Sequence, residues 1–180
     1  MFMLRNLLRQ TGHHPHTYNF ASMTSIASQQ SFKLNHTMFR IRDPKISLPF
    51  YTEVLGMELL YKMDVAAAKF TNYFLAFPSP DDTKGQFQRE GILELCHNWG
   101  TETDDKFEGY HNGNKSPQGF GHIAITCDDV KKTCDYLEEK EVKFQKRLTD
   151  GLLKDIAFVL DPDGYWIELL PNDFKIPDLS

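Results

Sequence analysis

Apolar and polar residues alternate in the first half of the chain in a way that predicts strands around one helix. In "NHTMFRIRDP", Thr37, Phe39 and Ile41 fall on one face of a predicted strand, and His36 and Met38 fall on the other. A helix is predicted for "DPKISLPFYTEVLGM", which has an N-capping aspartate, a proline in its first turn and a glycine just past its end. Two further strands are predicted for "FTNYFLAF" and "GILELCHNW".

The same order of elements returns in the second half of the chain. A strand is predicted for "GFGHIAITCDD", with Ile123 and Ile125 on one face and His122 on the other. A helix capped by Asp128 or Asp129 is predicted for "DVKKTCDYLEEKE". Three strands are then predicted for "VKFQKRL", "DIAFVLD" and "YWIELLP". This internal repetition predicts an α+β protein built from two βαβββ modules.

The repeat also predicts how the chain is divided. The repeated part covers residues 34–172, with module one at about 34–100, a linker at about 101–118 and module two at about 119–172. A leader or arm at 1–33 precedes it, and a short tail at 173–180 follows. The polar segment 78–90 is rich in proline and glycine, which predicts a surface loop within module one.

Each module carries one carboxylate among the apolar residues of its last predicted strand. Glu94 lies between two leucines, and Glu168 takes the same place in the second half. A buried lone carboxylate costs several kcal/mol unless it is paired or bound to a cation. Each first strand begins with a histidine, His36 or His122. The four residues therefore predict a divalent metal site, and a nitrogen and oxygen ligand set suits zinc, nickel, cobalt, iron or manganese. The alternative is that each histidine is a core residue and each glutamate meets an arginine or lysine.

Composition and charge narrow the class of protein. The 180 residues are 41% hydrophobic and 25% charged, which suits one globular core or two small modules that share one. A formal net charge of −5, without a basic stripe, argues against a nucleic-acid partner. The sequence has no apolar run near the roughly 20 residues that span a bilayer. Its three cysteines form neither a CxxC pair nor an even disulfide framework, so a reducing compartment, the cytoplasm, is expected.

The beginning of the chain has a different charge pattern. Residues 1–42 carry five basic residues and no acidic one. In "MFMLRNLLRQ" the leucines fit one face of a helix and the arginines the other, which predicts either a mitochondrial targeting segment or a disordered arm. Met23 offers an internal start, so we expect a cytoplasmic protein with a mitochondrial form made through the leader.

From about residue 34 to 172 the chain resembles the glyoxalase I family of the vicinal-oxygen-chelate superfamily. The motifs that carry the resemblance include "FYTEVLGM", "ILELCHNWGTE", "YHNGN", "GFGHIAI" and "DPDGYWIELL". The resemblance implies the glyoxalase/bleomycin-resistance/dioxygenase fold, with its modules forming a curved mixed sheet around a metal site. It also implies one divalent metal, zinc first and nickel or cobalt otherwise, bound by His36, Glu94, His122 and Glu168. Glu168 would be the catalytic base, and Glu94 would take part from the other side of the metal.

The reaction that this resemblance implies belongs to methylglyoxal detoxification. The hemithioacetal of methylglyoxal and glutathione, the cosubstrate, would be isomerised through an enediolate to S-D-lactoylglutathione. The implied substrate-binding positions are Arg40, Asn98, Gln118, Lys146, Leu152 and Leu153. Gln118 stands where the family usually has arginine, and Leu152 stands where it usually has a basic residue. Both departures would weaken the grip on the glycyl carboxylate of glutathione.

The resemblance further implies a homodimer, with each site between two subunits and a small-molecule substrate. The sequence leaves open whether the ligands come from one chain or two. Competing interpretations are another metal-dependent epimerase of the superfamily, such as one acting on an acyl-CoA, and a metal-free module that binds a small ligand. An extradiol dioxygenase is disfavoured because it uses two histidines and only one carboxylate.

Overall fold

Two mixed sheets of four strands each form the framework of the protein. The computed structural model describes residues 32–80 and 85–176. The first sheet has the order β1-β4-β3-β2 and contains β1 (His36–Ile41), β2 (Glu58–Val65), β3 (Phe70–Ala76) and β4 (Ile92–Asn98). The second has the order β5-β8-β7-β6 and contains β5 (His122–Cys127), β6 (Phe144–Lys146), β7 (Ala157–Leu160) and β8 (Trp166–Pro171). In both sheets the first and last strands pair in parallel, and the other pairs are antiparallel. The predicted α+β class with two βαβββ modules is confirmed.

The helix of the first module changes its winding halfway. It begins as α1 (Pro44–Pro49), where the Asp43 carboxylate accepts a hydrogen bond from the amide of Lys45 at 2.8 Å. It continues as a π-helical turn at Phe50–Val54. Pro49 has no N–H to donate, so the α-helical ladder is interrupted there.

The helix of the second module is regular, α2 (Val130–Glu139). Of the two candidate caps, Asp129 takes the role, because its carboxylate accepts a hydrogen bond from the amide of Lys132 at 3.0 Å. Helix α2 presents three buried residues, Val130, Cys134 and Leu137, to the interior. Among the residues that the structure describes, no helix has the length and apolarity needed to cross a membrane.

Strand β2 was not evident from the hydrophobic pattern. Six of its eight residues are exposed, on both faces, so no alternation marks it. It lies at the edge of its sheet and pairs only with β3. An edge strand with both faces exposed to solvent is held mainly by backbone hydrogen bonds to its neighbour. Amino-acid composition does not reveal these bonds.

Several predictions about the ends and loops fall partly outside the described residues. The predicted leader at 1–33 is described only at Phe32 and Lys33, and Met23 lies outside the described part. In the predicted surface loop at 78–90, residues 81–84 lie outside it as well. The division of the chain into leader, modules, linker and tail stays a prediction.

The apolar faces of the two sheets share one core. In β1 the side chains of Phe39 and Ile41 are buried, whereas His36 and Arg40 alternate on the exposed face. Core residues of both sheets and both helices form one apolar cluster. Across it, the Phe39 ring stacks on Tyr165 of the second module with centroids 4.5 Å apart. The face of each sheet that bears the histidine is therefore the face turned away from the shared core.

The predicted linker is fastened to the second module. The side-chain amide of Asn112 donates to the carbonyl of Gly164 at 2.7 Å, and that of Asn114 donates to the carbonyl of Gly121 at 2.6 Å. Gly113, with φ of +85°, lies so close to Phe120 that a Cβ added to it would clash with the Phe120 carbonyl oxygen. Only glycine fits there. These contacts give the "YHNGN" motif a structural role.

A buried hydrogen-bonded aspartate joins the two modules. The Tyr51 hydroxyl of module one donates to Asp161 Oδ2 at 2.7 Å. Asp161 Oδ1 accepts from the amides of Asp163 and Tyr165 at 3.0 and 2.7 Å. Burial raises the pKa of Asp161 to about 7, and the neighbouring charge of Asp163 acts in the same direction.

Asp161→Asn should flatten the pH dependence of stability. An acid whose pKa is raised in the folded protein holds a proton that the unfolded chain has lost. Its contribution is therefore complete below about pH 4 and is lost as the pH rises through about 7, at up to about 1.4 kcal/mol per pH unit. Urea unfolding at pH 5 and pH 8 measures this. Asp135→Asn, on the exposed face of α2, is the control, and equal slopes in the two variants would contradict the prediction.

Candidate metal and substrate site

The first histidine and carboxylate pair lies on the face of sheet one that is turned away from the shared core. His36 Nε2 is 3.0 Å from Glu94 Oε2, although Glu94 is only 8% exposed. On the other side of the ring, His36 Nδ1 is 2.8 Å from Asn35 Oδ1. When Nδ1–H donates to Asn35, the lone pair of Nε2 points at the space beside the carboxylate. This is the orientation of a metal-ligating histidine.

The second pair repeats this geometry on sheet two. His122 Nε2 is 3.2 Å from Glu168 Oε2. Phe158 lies opposite Glu168 in the strand register and packs edge-on against the His122 ring at 5.1 Å. Its counterpart Phe74 packs edge-on against His36 at 5.9 Å. The structure therefore brings the four predicted ligands together as two equivalent pairs.

The two carboxylates differ in how firmly they are held. The side-chain amide of Asn72, on β3, donates to Glu94 Oε1, so both oxygens of Glu94 have partners. By strand register the corresponding position in module two is Ile156, an apolar residue. Among the described residues, Glu168 has no hydrogen-bond donor besides His122. The side chain of Glu168 is also the more exposed, at 17% against 11%.

Asn72 did not emerge from the sequence as a site residue. Its signal was a polar side chain inside the buried strand "FTNYFLAF", which is the same kind of signal that singled out Glu94. The contact depends on the pairing of β3 with β4. This pairing places Asn72 opposite Cys96, which is two residues from Glu94 on the same face of β4. That register is a tertiary property.

A single chain does not bring the four ligands to one point. Within residues 32–80 and 85–176, no group of three or more histidine, cysteine, aspartate or glutamate side chains is placed to hold a metal ion. Each pair offers one imidazole nitrogen and one carboxylate oxygen about 3 Å apart, a donor set that divalent cations accept. Within the described part of the chain, the four predicted ligands thus form two separate pairs.

Arg40, Asn98 and Gln118, predicted to contact glutathione, lie in different surroundings. Arg40 is exposed on the same face of β1 as His36. Asn98, at the end of β4, donates through its amide to the Tyr110 hydroxyl at 3.0 Å. Gln118 is exposed in the segment before β5. Arg40 shares a face of β1 with His36, and by strand register Asn98 shares a face of β4 with Glu94.

Lys146, by contrast, is bound by its own loop. Its ammonium group donates to the carbonyls of Leu153 and Ile156 at 2.6 and 2.7 Å. Burial lowers the pKa of Lys146. Leu152 is 87% exposed at the tip of this loop, whereas Leu153 is partly buried. Reaching a substrate carboxylate would require the ammonium group to exchange these carbonyls for it.

The fold and the paired residues define the class of protein. The family model described as Glyoxalase/Bleomycin resistance protein/Dioxygenase superfamily matches residues 33–169. The chain is a member of this superfamily.

Relatives with known names refine that class. Glyoxalase I of Saccharomyces cerevisiae is 51% identical over 144 residues, which are 76% of this chain and 44% of that protein. Lactoylglutathione lyase of Pseudomonas putida is 48% identical over 147 residues, 77% of this chain and 84% of that protein. The chain thus belongs to the glyoxalase I, or lactoylglutathione lyase, family, and the predicted resemblance is confirmed.

Solved structures agree with this assignment. The trypanothione-dependent glyoxalase I of Leishmania major has a TM-score of 0.59 and 35% identity, covering 78% of this chain and 87% of that one. Glyoxalase I of Zea mays has a TM-score of 0.61 and 34% identity, covering 79% of this chain and 46% of that one. The chain spans about half the length of the yeast and maize relatives.

Proposed function

We propose that this protein is a metal-dependent lactoylglutathione lyase. It isomerises the hemithioacetal of methylglyoxal and glutathione to S-D-lactoylglutathione. Relatives that are 45–51% identical carry the names glyoxalase I or lactoylglutathione lyase. The observation that carries the mechanism is the pair of His–Glu contacts at equivalent positions of the two modules.

The active unit is a homodimer with a site between subunits. His36 and Glu94 of one copy meet His122 and Glu168 of the other. Two facts support this arrangement: both pairs lie on sheet faces turned away from the shared core, and their histidine side chains are about 40% exposed. A two-fold interface of this kind makes two identical sites and covers both open faces.

The resident metal is one divalent ion per site, zinc first, with nickel or cobalt as alternatives. When bound, it supplies Lewis-acid stabilisation of the negative charge that develops on the substrate oxygens. The four side chains named above would hold it. His36 is oriented for this role by Asn35.

Glu168 serves as the base. It removes the proton from the substrate carbon that carries sulfur and returns it to the neighbouring carbon, while the hydroxyl proton passes from the oxygen of the first carbon to that of the second. The hydroxy ketone thus becomes a hydroxy thioester with no net change in redox state. The less constrained carboxylate suits this task, because a base that first accepts and then returns a proton must move between two carbons. Glu94, whose Oε1 accepts a hydrogen bond from Asn72, is suited to a fixed ligand role.

On strand β1, Arg40 is the positively charged residue nearest to the pair of His36 and Glu94. It contacts a carboxylate of the thiol, while Asn98 and Lys146 bind other parts of it after exchanging their present partners. Gln118 and Leu152 are uncharged at two positions where the family usually has a basic residue. The glycyl carboxylate of glutathione is therefore bound weakly. The thiol is glutathione, and trypanothione, on which the Leishmania relative depends, is the comparison.

Arg40→Ala should raise KM for the hemithioacetal more than it lowers kcat. A charge that binds the remote carboxylate equally in the ground state and the transition state contributes uniform binding. We expect an increase in KM of about tenfold, the scale of one charge-assisted hydrogen bond. Steady-state kinetics measure it, with Lys131→Ala on the exposed face of α2 as the control. A fall in kcat with unchanged KM would contradict the assignment.

The decisive experiment follows thioester absorbance with methylglyoxal and each thiol in turn. Elemental analysis of the purified protein gives the bound metal, and chelation followed by re-addition of zinc, cobalt or nickel should remove and restore turnover. Absence of thioester formation in a metal-containing protein would favour an epimerase. A metal-free protein that binds the hemithioacetal without turnover would favour a ligand-binding module.

The proposed setting is the cytoplasm, with a second form delivered to mitochondria by the basic leader. N-terminal sequencing of the native protein from each fraction tests this. Proteins of one length in both fractions would contradict a cleaved leader.

A further inference from the structure

We propose that Asn72 is a positioning residue that fixes Glu94 and thereby makes the two carboxylates of the site unequal. This inference rests on the proposed function, since it assigns Glu94 the part of the held ligand. Its basis is one contact present in module one and missing from module two. The side-chain amide of Asn72 donates to Glu94 Oε1, on the oxygen that His36 does not contact.

The chemical environment of Asn72 argues against a purely structural role. Asn72 is 8% exposed, and its Oδ1 atom is buried without a hydrogen-bond partner among the described residues. A buried carbonyl oxygen without a donor lowers stability. An apolar side chain at this position would avoid that cost, as Ile156 does at the corresponding position of module two. The one satisfied group of the amide is the N–H that meets Glu94.

The neighbours of Asn72 show why the contact is directed at Glu94. Register places Asn72 opposite Cys96 and Phe74 opposite Glu94 on the same sheet face. Phe74 packs edge-on against His36, so the Glu94 carboxylate lies between an aromatic ring, an imidazole and the amide. With Oε1 tied to Asn72, only Oε2 remains available to a cation beside His36. Ligation by Glu94 is thus restricted to one oxygen.

The two glutamates, Glu94 and Glu168, therefore have different roles although they occupy equivalent positions in the repeat. Glu94 is held at Oε1 by the Asn72 amide and keeps its place, whereas Glu168 has no such amide and is free to leave and return. Groups that orient a metal-ligating side chain typically change metal affinity or activity by about 10- to 100-fold when removed. Asn72 is a residue of this kind, acting through Glu94 and not on the substrate.

The test compares Asn72→Leu with Asn72→Gln, Thr71→Val and the wild-type dimer. Leucine is close in size to asparagine and removes both the donor and the unsatisfied oxygen. Glutamine retains an amide donor. Thr71 is the matched control, because its hydroxyl bonds Asp64 and Trp99 on the opposite face of β3.

Three readouts are taken: the Kd for Co²⁺ of the metal-free protein, the visible spectrum of the Co²⁺ form and the melting temperature of the metal-free protein. For Asn72→Leu we expect Co²⁺ affinity to fall about 10- to 100-fold with an altered spectrum and an equal or higher melting temperature. Asn72→Gln should recover part of the affinity. Thr71→Val should lower the melting temperature and leave the Co²⁺ affinity unchanged.

Wild-type affinity and spectrum in Asn72→Leu would overturn the inference. If that variant does not fold, the Asn72 side-chain amide of the wild-type protein is followed by NMR hydrogen exchange, and fast exchange would overturn it equally. The proposed function fails by a separate criterion, namely a wild-type protein that binds no Co²⁺ or forms no thioester. The two failures are therefore distinguishable.

Discussion

Glu168→Gln should lower kcat about 10³-fold while the protein keeps most of its metal. A general base contributes about 10²- to 10⁴-fold to rate, and glutamine cannot accept the proton from carbon. Its amide oxygen can still occupy the position of the carboxylate oxygen that now lies 3.2 Å from His122 Nε2. Binding of the hemithioacetal should change little, because the lost interaction belongs to proton transfer. Steady-state kinetics and elemental analysis measure the two effects.

Glu102→Gln is the matched control for this prediction. Glu102 also pairs with a histidine, at 2.7 Å from His97 Nε2, but its partner lies outside the repeated positions. Its carboxylate accepts the amide of Gly100, which a glutamine oxygen can also do. We expect near wild-type turnover in this variant. Unchanged turnover in Glu168→Gln as well would remove Glu168 from the role of base.

Two inactive variants should restore activity when they share one dimer. Glu94→Ala removes the held carboxylate ligand of module one, and Glu168→Gln removes the base of module two. If each site takes one pair from each copy, a heterodimer of the two variants has one doubly altered site and one intact site. Two different affinity tags isolate this heterodimer after co-expression. Its kcat per dimer should be about half that of the wild-type dimer, because one of its two sites is intact.

The control for complementation pairs Glu168→Gln with His122→Ala. Both changes lie in module two, so every site of that heterodimer contains one defect and no activity should return. Ligands drawn from a single chain would give no recovery with either pair of variants. Failure to isolate any doubly tagged dimer would also refute the proposed homodimer.

Strand alternation explains why the candidate site could be found from sequence. A polar residue in a strand between apolar neighbours lies on the opposite face from them, so Glu94 and Glu168 stood out as carboxylates that needed a partner. The repeat then connected each glutamate to a histidine on another strand of its module, and the sheets place that strand directly beside it. The structure pairs both sets, at 3.0 and 3.2 Å.

Three features were beyond that pattern for separate physical reasons. Strand β2 has no buried face, so its pairing leaves no apolar alternation. The Asp161 network depends on a tyrosine 110 residues earlier in the chain, and contacts of that separation have no local signature. From the sequence, Lys146 is expected to be a solvent-exposed cation, but its ammonium group donates hydrogen bonds to loop carbonyls.

The sequence alone determined the two βαβββ modules, the four repeated polar positions and the family, because these follow from local periodicity and from motifs that are contiguous in the chain. The tertiary structure decided which way the histidine faces turn and which carboxylate is held. The apolar faces of both sheets contribute to one shared core, so the faces that bear the histidines are turned away from it, each with half a ligand set. Periodicity specifies that a face is polar, but only the packing of distant strands specifies what that face meets.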